Sequence, residues 1–432
     1  MILLAAGIAI LFMILLLVSV PVSCALGIVS LTPSLLDPDF GISVEYIIRS
    51  MVGGIDSFPL LAVPMFVLSG ILMAKGGVSK KLFDVFSYFL GEHTAGMPCA
   101  VIVTCLFYGA ISGSAPATVA AVGSMTIPLL ITMGYDKSFV TALVAVAGGL
   151  GVIIPPSIPF ILYGMASGAS VGKMFMAGII PGMLIAGLLM LYAYYYCRKH
   201  GEDHEKIHGE VDVLHKKGFI KVFRESFWAL LTPIIILGCI YSGVASPTEA
   251  AVISVFYAFI ISKFIYKTLA WRDIKVVLVE AIRTFAPILF ILASAVAFSR
   301  IITLLQIPQM AGEFILNSFS SKFVILIIIN VLLLIVGMVM DTSPAILILT
   351  PILLPITSSL GVDPIHFGII MVVNLAIGFV TPPIGINLFV ASSLTDVPVM
   401  EIARKAMPLI GFFLLALLLI TFIPSISLLL VA

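Results

Sequence analysis

The chain has 432 residues, 61% of them hydrophobic and only 10% charged, with a mean hydropathy of +1.26. Soluble domains carry about 25% charged residues, and many apolar runs here reach the ~20 residues that a helix needs to cross a hydrocarbon core. The class is an all-α polytopic membrane protein; the net charge of +1 gives no reason to expect nucleic acid as a partner, and a β-barrel would show short alternating segments instead.

The first apolar run, "MILLAAGIAILFMILLLVSVPVSC", predicts a transmembrane helix over 2–30. It lacks the positive n-region of a signal peptide. With no early Lys or Arg, nothing holds that end in the cytoplasm. Further apolar segments predict helices over 57–75, 97–111, 116–133, 138–154, 157–168, 174–197, 226–243, 247–267, 283–305, 323–340, 344–359, 365–381, 384–396 and 405–430. Several are too short to span alone. Their breaks fall at Ser112–Pro116, Pro155–Pro156, Asp341–Pro344 and Pro382–Pro383.

The stretch "RKHGEDHEKIHGEVDVLHKKGFIKVFRE" (198–225) holds seven Lys/Arg, and the positive-inside rule places it in the cytoplasm. His200, His204 and His208 have i, i+4, i+8 spacing, which fits a metal face or, more simply, a solvated charged linker. The five cysteines, Cys24, Cys99, Cys105, Cys197 and Cys239, lie mostly in apolar runs and form no CxxC, so they read as small apolar fillers.

The two sides of the linker are related. Pro128 and Pro355 differ by 227, as do Gly134 and Gly361, Asp136 and Asp363, Gly151 and Gly378, the two Pro-Pro pairs, and Pro181 and Pro408. A shift of one residue brings "SAPAT" (114–118) over "TSPAI" (342–346). Backbone-determining residues at one offset indicate an internal structural repeat.

The broken segments then acquire a chemical reading. In lipid every backbone N–H and C=O needs a partner, so irregular backbone survives only inside protein or beside a cavity. In "AISGSAPATVAAVG" (110–123) and its counterpart, Pro116 and Pro344 suit the first turn of half-helices. Ser112, Ser114, Asp341, Thr342 and Ser343 are available as caps. Helix N-termini attract anions, and unwound carbonyls beside them hold a small cation such as Na⁺. The alternative is a set of kinks that only shape packing. Asp341 is a site residue by default at such depth, or an N-cap. Arg300 either faces a substrate anion or snorkels to the interface. Glu249 fits a first-turn Glu on a helix dipole, and Asp136 and Asp363 fit caps. No GxxxxGK[ST] or HExxH is present. "GASVG" (168–172) matches G-x-S-x-G formally but lacks the strand-to-helix context that would make Ser170 a nucleophile.

The ordered set "FPLLAVPMFVLSG" (58–70), "GAISGSAPATVAAVGSMTIP" (109–128), "GLGVIIPPSIPFILYG" (149–164), "ASPTEAA" (245–251), "MDTSPAILILTPILLP" (340–355) and "GFVTPPIGINLFV" (378–390) resembles the large membrane subunit of tripartite ATP-independent periplasmic (TRAP) transporters, over nearly the whole chain. The resemblance implies an elevator-type transporter of the bacterial inner membrane with two inverted repeats, each giving a helical hairpin and a broken helix. It implies Na⁺-coupled uptake of an organic acid, of the sialic acid or C4-dicarboxylate type, with at least two ions. The implied partners are a separate small four-helix membrane subunit and a periplasmic substrate-binding protein. Expected substrate-binding residues are Ser112, Ser114, Ser157, Asp341, Ser343 and Arg300. Expected Na⁺ residues are Ser112, Gly113, Gly151, Pro155, Asp341, Thr342, Gly378, Thr381 and Pro382, with Pro156 and Pro383 in the same cross-overs. The expected division is scaffold and arm over 1–95, the first transport repeat over 96–172, a scaffold helix over 173–197, the linker over 198–225, scaffold and arm over 226–322, the second transport repeat over 323–400, and a scaffold helix over 401–432. The flanking segments 2–30, 174–197, 226–267 and 405–430 are expected to be unbroken. Interfacial arms are expected beside Lys75, Lys80, Lys81, Lys263, Lys267, Arg272 and Lys275. A symporter that needs no binding protein is the near alternative, and an intramembrane hydrolase using Ser170 the distant one.

Overall fold

A computed structural model describes residues 2–36, 43–319 and 321–431, and among these no strand forms. The helices preceding the first repeat are α1 (Ile2–Leu17), α2 (Val22–Leu36), α3 (Val44–Ile55), α4 (Ala62–Lys75) and α5 (Val78–Leu90). The first repeat contains α6 (Gly96–Ser112), α7 (Ala115–Thr132), α8 (Lys137–Ala147) and α9 (Ile158–Ser167). There follow α10 (Val171–His200), α11 (His204–Lys217), α12 (Phe219–Tyr241), α13 (Pro247–Ile260), α14 (Trp271–Leu304) and α15 (Ile307–Ser318). The second repeat contains α16 (Lys322–Val339), α17 (Thr342–Ser359), α18 (Pro364–Gly378) and α19 (Ile386–Thr395), and the described chain closes with α20 (Val399–Phe422) and α21 (Ser425–Leu428). Among the described residues nine helices are long and apolar enough to cross a bilayer.

The repeat expected from the 227-residue offset is present in the backbone. Gly134 and Gly361 both adopt left-handed conformations, at φ +92° and +68°, and both Pro-Pro bonds are cis. Asp136 and Asp363 both cap helices, accepting from the amides of Phe139 (2.6 Å) and Ile365 (2.7 Å). Pro181 and Pro408 both lie inside long helices, α10 and α20, which pack on each other.

The packing is reciprocal. The second hairpin helix of each repeat lies on the post-break helix of the other: α7 on α19, and α17 on α9. Hydrogen bonds cross between repeats in both directions, from Tyr163 Oη to the Pro364 carbonyl (2.5 Å) and from Asn387 Nδ2 to the Ala145 carbonyl (3.0 Å). The broad core includes Phe139, Phe160, Phe175, Phe367, Phe379 and Phe413, all essentially inaccessible. Outside the repeats, α14 packs on α2, α3 and α4, and α4 packs on α13.

Several sequence expectations are corrected. The first apolar run is two helices rather than one over 2–30. The chain turns at Ser19 (φ +63°), and Pro21 supplies no N–H to continue the first helix. The segments 226–267 and 405–430 are also interrupted: α12 ends at Tyr241 and a Ser246–Glu249 capping box opens α13, and α20 ends at Phe422, before Pro424 and the short α21. The helix expected over 283–305 begins twelve residues earlier, at Trp271. Four helices, α3, α5, α11 and α15, were missing from the apolar segments. Each mixes polar and apolar residues, so an apolar-run criterion passes over them. The His200–His204–His208 spacing is broken as well, because Gly201–Asp203 separates α10 from α11; the His200 ring stacks on Tyr196 instead.

Candidate functional site

The hairpin tips are built locally. In the first, Gly113 takes φ +62° and ends α6 with its amide bonded to the Gly109 carbonyl. A residue with a Cβ is strained in that conformation. Pro116 then sits in the first turn of α7, where its missing N–H leaves nothing unsatisfied. Ser114 occupies the cap position without a side-chain cap. Instead Ser112 Oγ lies 2.8 Å from Thr118 Oγ1, and Thr118 Oγ1 donates to the Ser114 carbonyl at 2.8 Å. In the second tip, Asp341 Oδ1 accepts from the Thr342 amide at 2.7 Å and opens α17.

The cross-overs press against the hairpins. A Cβ on Gly109 would lie 2.8 Å from the Gly151 Cα, and one on Gly151 would lie 2.7 Å from the Ser114 carbonyl oxygen. The second repeat repeats this approach, a Cβ on Gly337 lying 3.2 Å from the Gly378 Cα. The Ile158 amide reaches the Gly113 carbonyl at 3.4 Å, and the Ile384 amide reaches Met338 at 3.3 Å. Ser157 Oγ donates to the Val152 carbonyl at 2.5 Å and caps α9, and Thr381 Oγ1 donates to Ile377 at 2.8 Å.

Ser112, Gly113 and Ser114 share one cavity of about 730 Å³ with Asp341, Thr342 and Ser343. Both hairpin tips border that cavity, while α6 and α7 do not pack extensively on α16 or α17. Lys75, Lys80 and Glu280 stand in the same cavity wall, and Lys75 Nζ pairs with Glu280 at 2.8 Å. Nearby, Lys81 pairs at 2.7 Å with Glu225 of the linker segment. The cavity therefore opens toward the linker side.

Not every expected site residue is here. Gly151 contacts the first tip, but Pro155, Ser157, Gly378, Thr381 and Pro382, in the cross-overs, do not line the shared cavity. Arg300 lines a different cavity. Thr118 was missed; its signal is the Ser/Thr hydroxyl one turn after a break, where it bonds back to the i−4 carbonyl. Ser170 caps α10, accepting from the Lys173 amide at 3.4 Å, and Glu249 belongs to the capping box of α13. The oxygens gathered at the tips come from hydroxyls, carbonyls and one carboxylate. Hard oxygen donors of this kind fit a small hard cation.

Residues 9–426 match the family described as the tripartite ATP-independent periplasmic transporter, DctM component. The chain belongs to that family. This TRAP permease is 36% identical to the C4-dicarboxylate TRAP transporter large permease DctM of Rhodobacter capsulatus, covering 96% of both chains. It is 35% identical to the sialic acid TRAP transporter large permease SiaM of Vibrio cholerae, again over 96% of both. It is 44% identical over 96% of its length to the isethionate TRAP transporter permease DctMQ of Oleidesulfovibrio alaskensis, of which it spans 64%. The fold is shared with the Alcanivorax borkumensis YdaH transporter (TM-score 0.63, 18% identity, 96% and 98% coverage). It is also shared with Neisseria gonorrhoeae MtrF (0.65, 13%, 92% and 93%). The relatives of this TRAP permease are transporter permeases, not enzymes.

Proposed function

We propose that this chain is the permease of a Na⁺-driven uptake system for an organic anion in the bacterial inner membrane. A periplasmic substrate-binding protein delivers the anion, and a small four-helix membrane subunit completes the permease. The observation that carries the reading is the single cavity shared by two hairpin tips, each opening a helix N-terminus toward it. Such termini favour carboxylate or sulfonate without many charged side chains. Relatives named for C4-dicarboxylate, sialic acid and isethionate transport all handle acids of this class. In this reading Ser112, Ser114, Ser343 and Asp341 orient the anion. Ser112, Gly113, Gly151, Asp341 and Thr342 supply oxygens for Na⁺, with Pro155, Gly378, Thr381 and Pro382 shaping the cross-overs around them. Bound Na⁺ supplies positive charge and couples uptake to its gradient.

The test is uptake into proteoliposomes holding this chain with its small subunit. Uptake is expected to require an inward Na⁺ gradient, to rise sigmoidally with external Na⁺, and to need the loaded binding protein. Full uptake in Na⁺-free, K⁺-balanced vesicles would overturn the coupling. Equal uptake without the binding protein would favour the independent symporter.

A further inference from the structure

A second cavity, of about 780 Å³, lies farther along α14 and is separate from the hairpin tips. The first cavity takes residues 280–291 of α14 and the second takes 292–303. Glu280 and Arg300 are twenty residues apart on this helix, about 30 Å at 1.5 Å per residue. Since the Glu280 end faces the linker side, the Arg300 end faces the opposite side, from which an imported solute arrives.

The walls of the second cavity come from two kinds of element. Arg49 lies within the amphipathic helix α3, Ser57 just beyond its end, and Arg300 one turn from the end of α14. With them stand Met165 from the end of α9 and Leu347 from α17, six residues beyond Asp341. The cavity thus lies between the outer helices and both repeats. Its size is that of a small-molecule site, and its charged lining groups are both cationic. Arg49 is held by Glu45 at 2.6 Å, whereas Arg300 has no ion-pair partner among the described residues. Ser57 Oγ is buried at the wall without a hydrogen-bond partner, although it precedes a helical turn that it does not cap. A guanidinium with no ion pair and an unpaired hydroxyl in the wall of one cavity make a donor set for an oxyanion, because a buried hydroxyl left unmatched is costly and guanidinium binds carboxylate in bidentate fashion.

We propose that this second cavity is a receiving site for the transported organic anion, filled before the hairpin-tip site, with Arg300 as its charge partner and Ser57 as a further donor. The inference rests on the uptake reading above. Its test is uptake by the complete transporter in proteoliposomes, using radiolabelled isethionate, succinate and N-acetylneuraminate in turn. For the anion that is carried, Arg300→Gln is expected to raise KM about tenfold, the equivalent of about 1.4 kcal/mol, with kcat near wild type. Arg300→Lys should fall between the two, since it keeps the charge and loses the fork, and Ser57→Ala should raise KM about threefold. A merely structural role would lower kcat or protein yield and leave KM unmoved. Wild-type KM in Arg300→Gln and Ser57→Ala, with uptake intact, would overturn the inference alone. Should Arg300→Gln fail to fold, wild-type KM in Arg300→Lys and Ser57→Ala would overturn it equally. No uptake of any organic anion with which the binding protein is loaded would remove the reading on which it rests, and the inference with it.

Discussion

Asp341 uses one carboxylate oxygen to open α17, through the 2.7 Å bond from the Thr342 amide. Its other oxygen makes no hydrogen bond among the described residues, and the side chain borders the shared cavity. Asn keeps an acceptor for the cap but loses the charge. Asp341→Asn is therefore expected to abolish transport while leaving helicity and elution volume unchanged. Ser112→Ala removes the hydroxyl that links the tip to Thr118, with the same expected outcome. Wild-type uptake in both variants would reassign the two side chains to holding the helix ends. Asp84, on α5 outside the spans, shows a different balance. Burial pushes its carboxyl above the usual range, and Lys80, Lys217 and Lys81 offset this only in part. A raised carboxylate pKa means that the folded state disfavours the charge, so the cost is absent at low pH and develops as pH rises through the ordinary range. Asp84→Asn should raise Tm at pH 7 by about 1–2 °C, and the gain should vanish as pH falls to where both states are protonated. A constant difference across pH would rule out this account.

At the scale of the element, the hairpins are held by glycine contacts that repeat across the chain. Gly109 meets Gly151, and Gly337 meets Gly378. In each case the neighbour is backbone, which cannot rotate away as a side-chain tip can. Gly109→Ala should therefore cost about 1–3 kcal/mol through overpacking, read as a fall in Tm together with lost transport. Gly187→Ala on α10 is the control, because a Cβ there meets nothing within 4 Å and alanine favours helix. Equal Tm values for the two variants would show that the close approach is not what fixes the hairpin.

For the whole molecule, the reciprocal packing of α7 on α19 and α17 on α9 joins the two repeats into one block. A block with two hydrogen-bonded, interleaved halves moves more readily as a unit than by bending. Movement of this block along α14 would carry the hairpin tips from the linker-side cavity toward the Arg300 end. To test it, one cysteine replaces Ala117 at the first tip and another replaces Ile288 on α14, in a background without Cys24, Cys99, Cys105, Cys197 and Cys239. Both positions line the hairpin-tip cavity. The crosslink is expected to form in one state only and to stop transport reversibly. Full-rate transport by the crosslinked protein would favour small gates around a fixed site.

The sequence by itself determined the membrane class, the repeat and the breaks. These depend on composition, on proline and glycine geometry, and on the rule that unpaired backbone cannot face lipid. It also identified Asp136 and Asp363 as caps, because capping is a contact between residues two or three apart. Helices with mixed faces, such as α3 and α11, were not legible from apolar runs, since what makes them stable is the neighbour that covers one face. The division of the expected site residues was decided only by tertiary structure. Ser112 and Asp341 stand 229 positions apart, and nothing local says which of the expected residues share one site. Only the tertiary packing of the hairpins puts Ser112 and Asp341 in one cavity, and only the length of α14 puts Arg300 at the far end, because distance along a helix separates what chemistry alone would group.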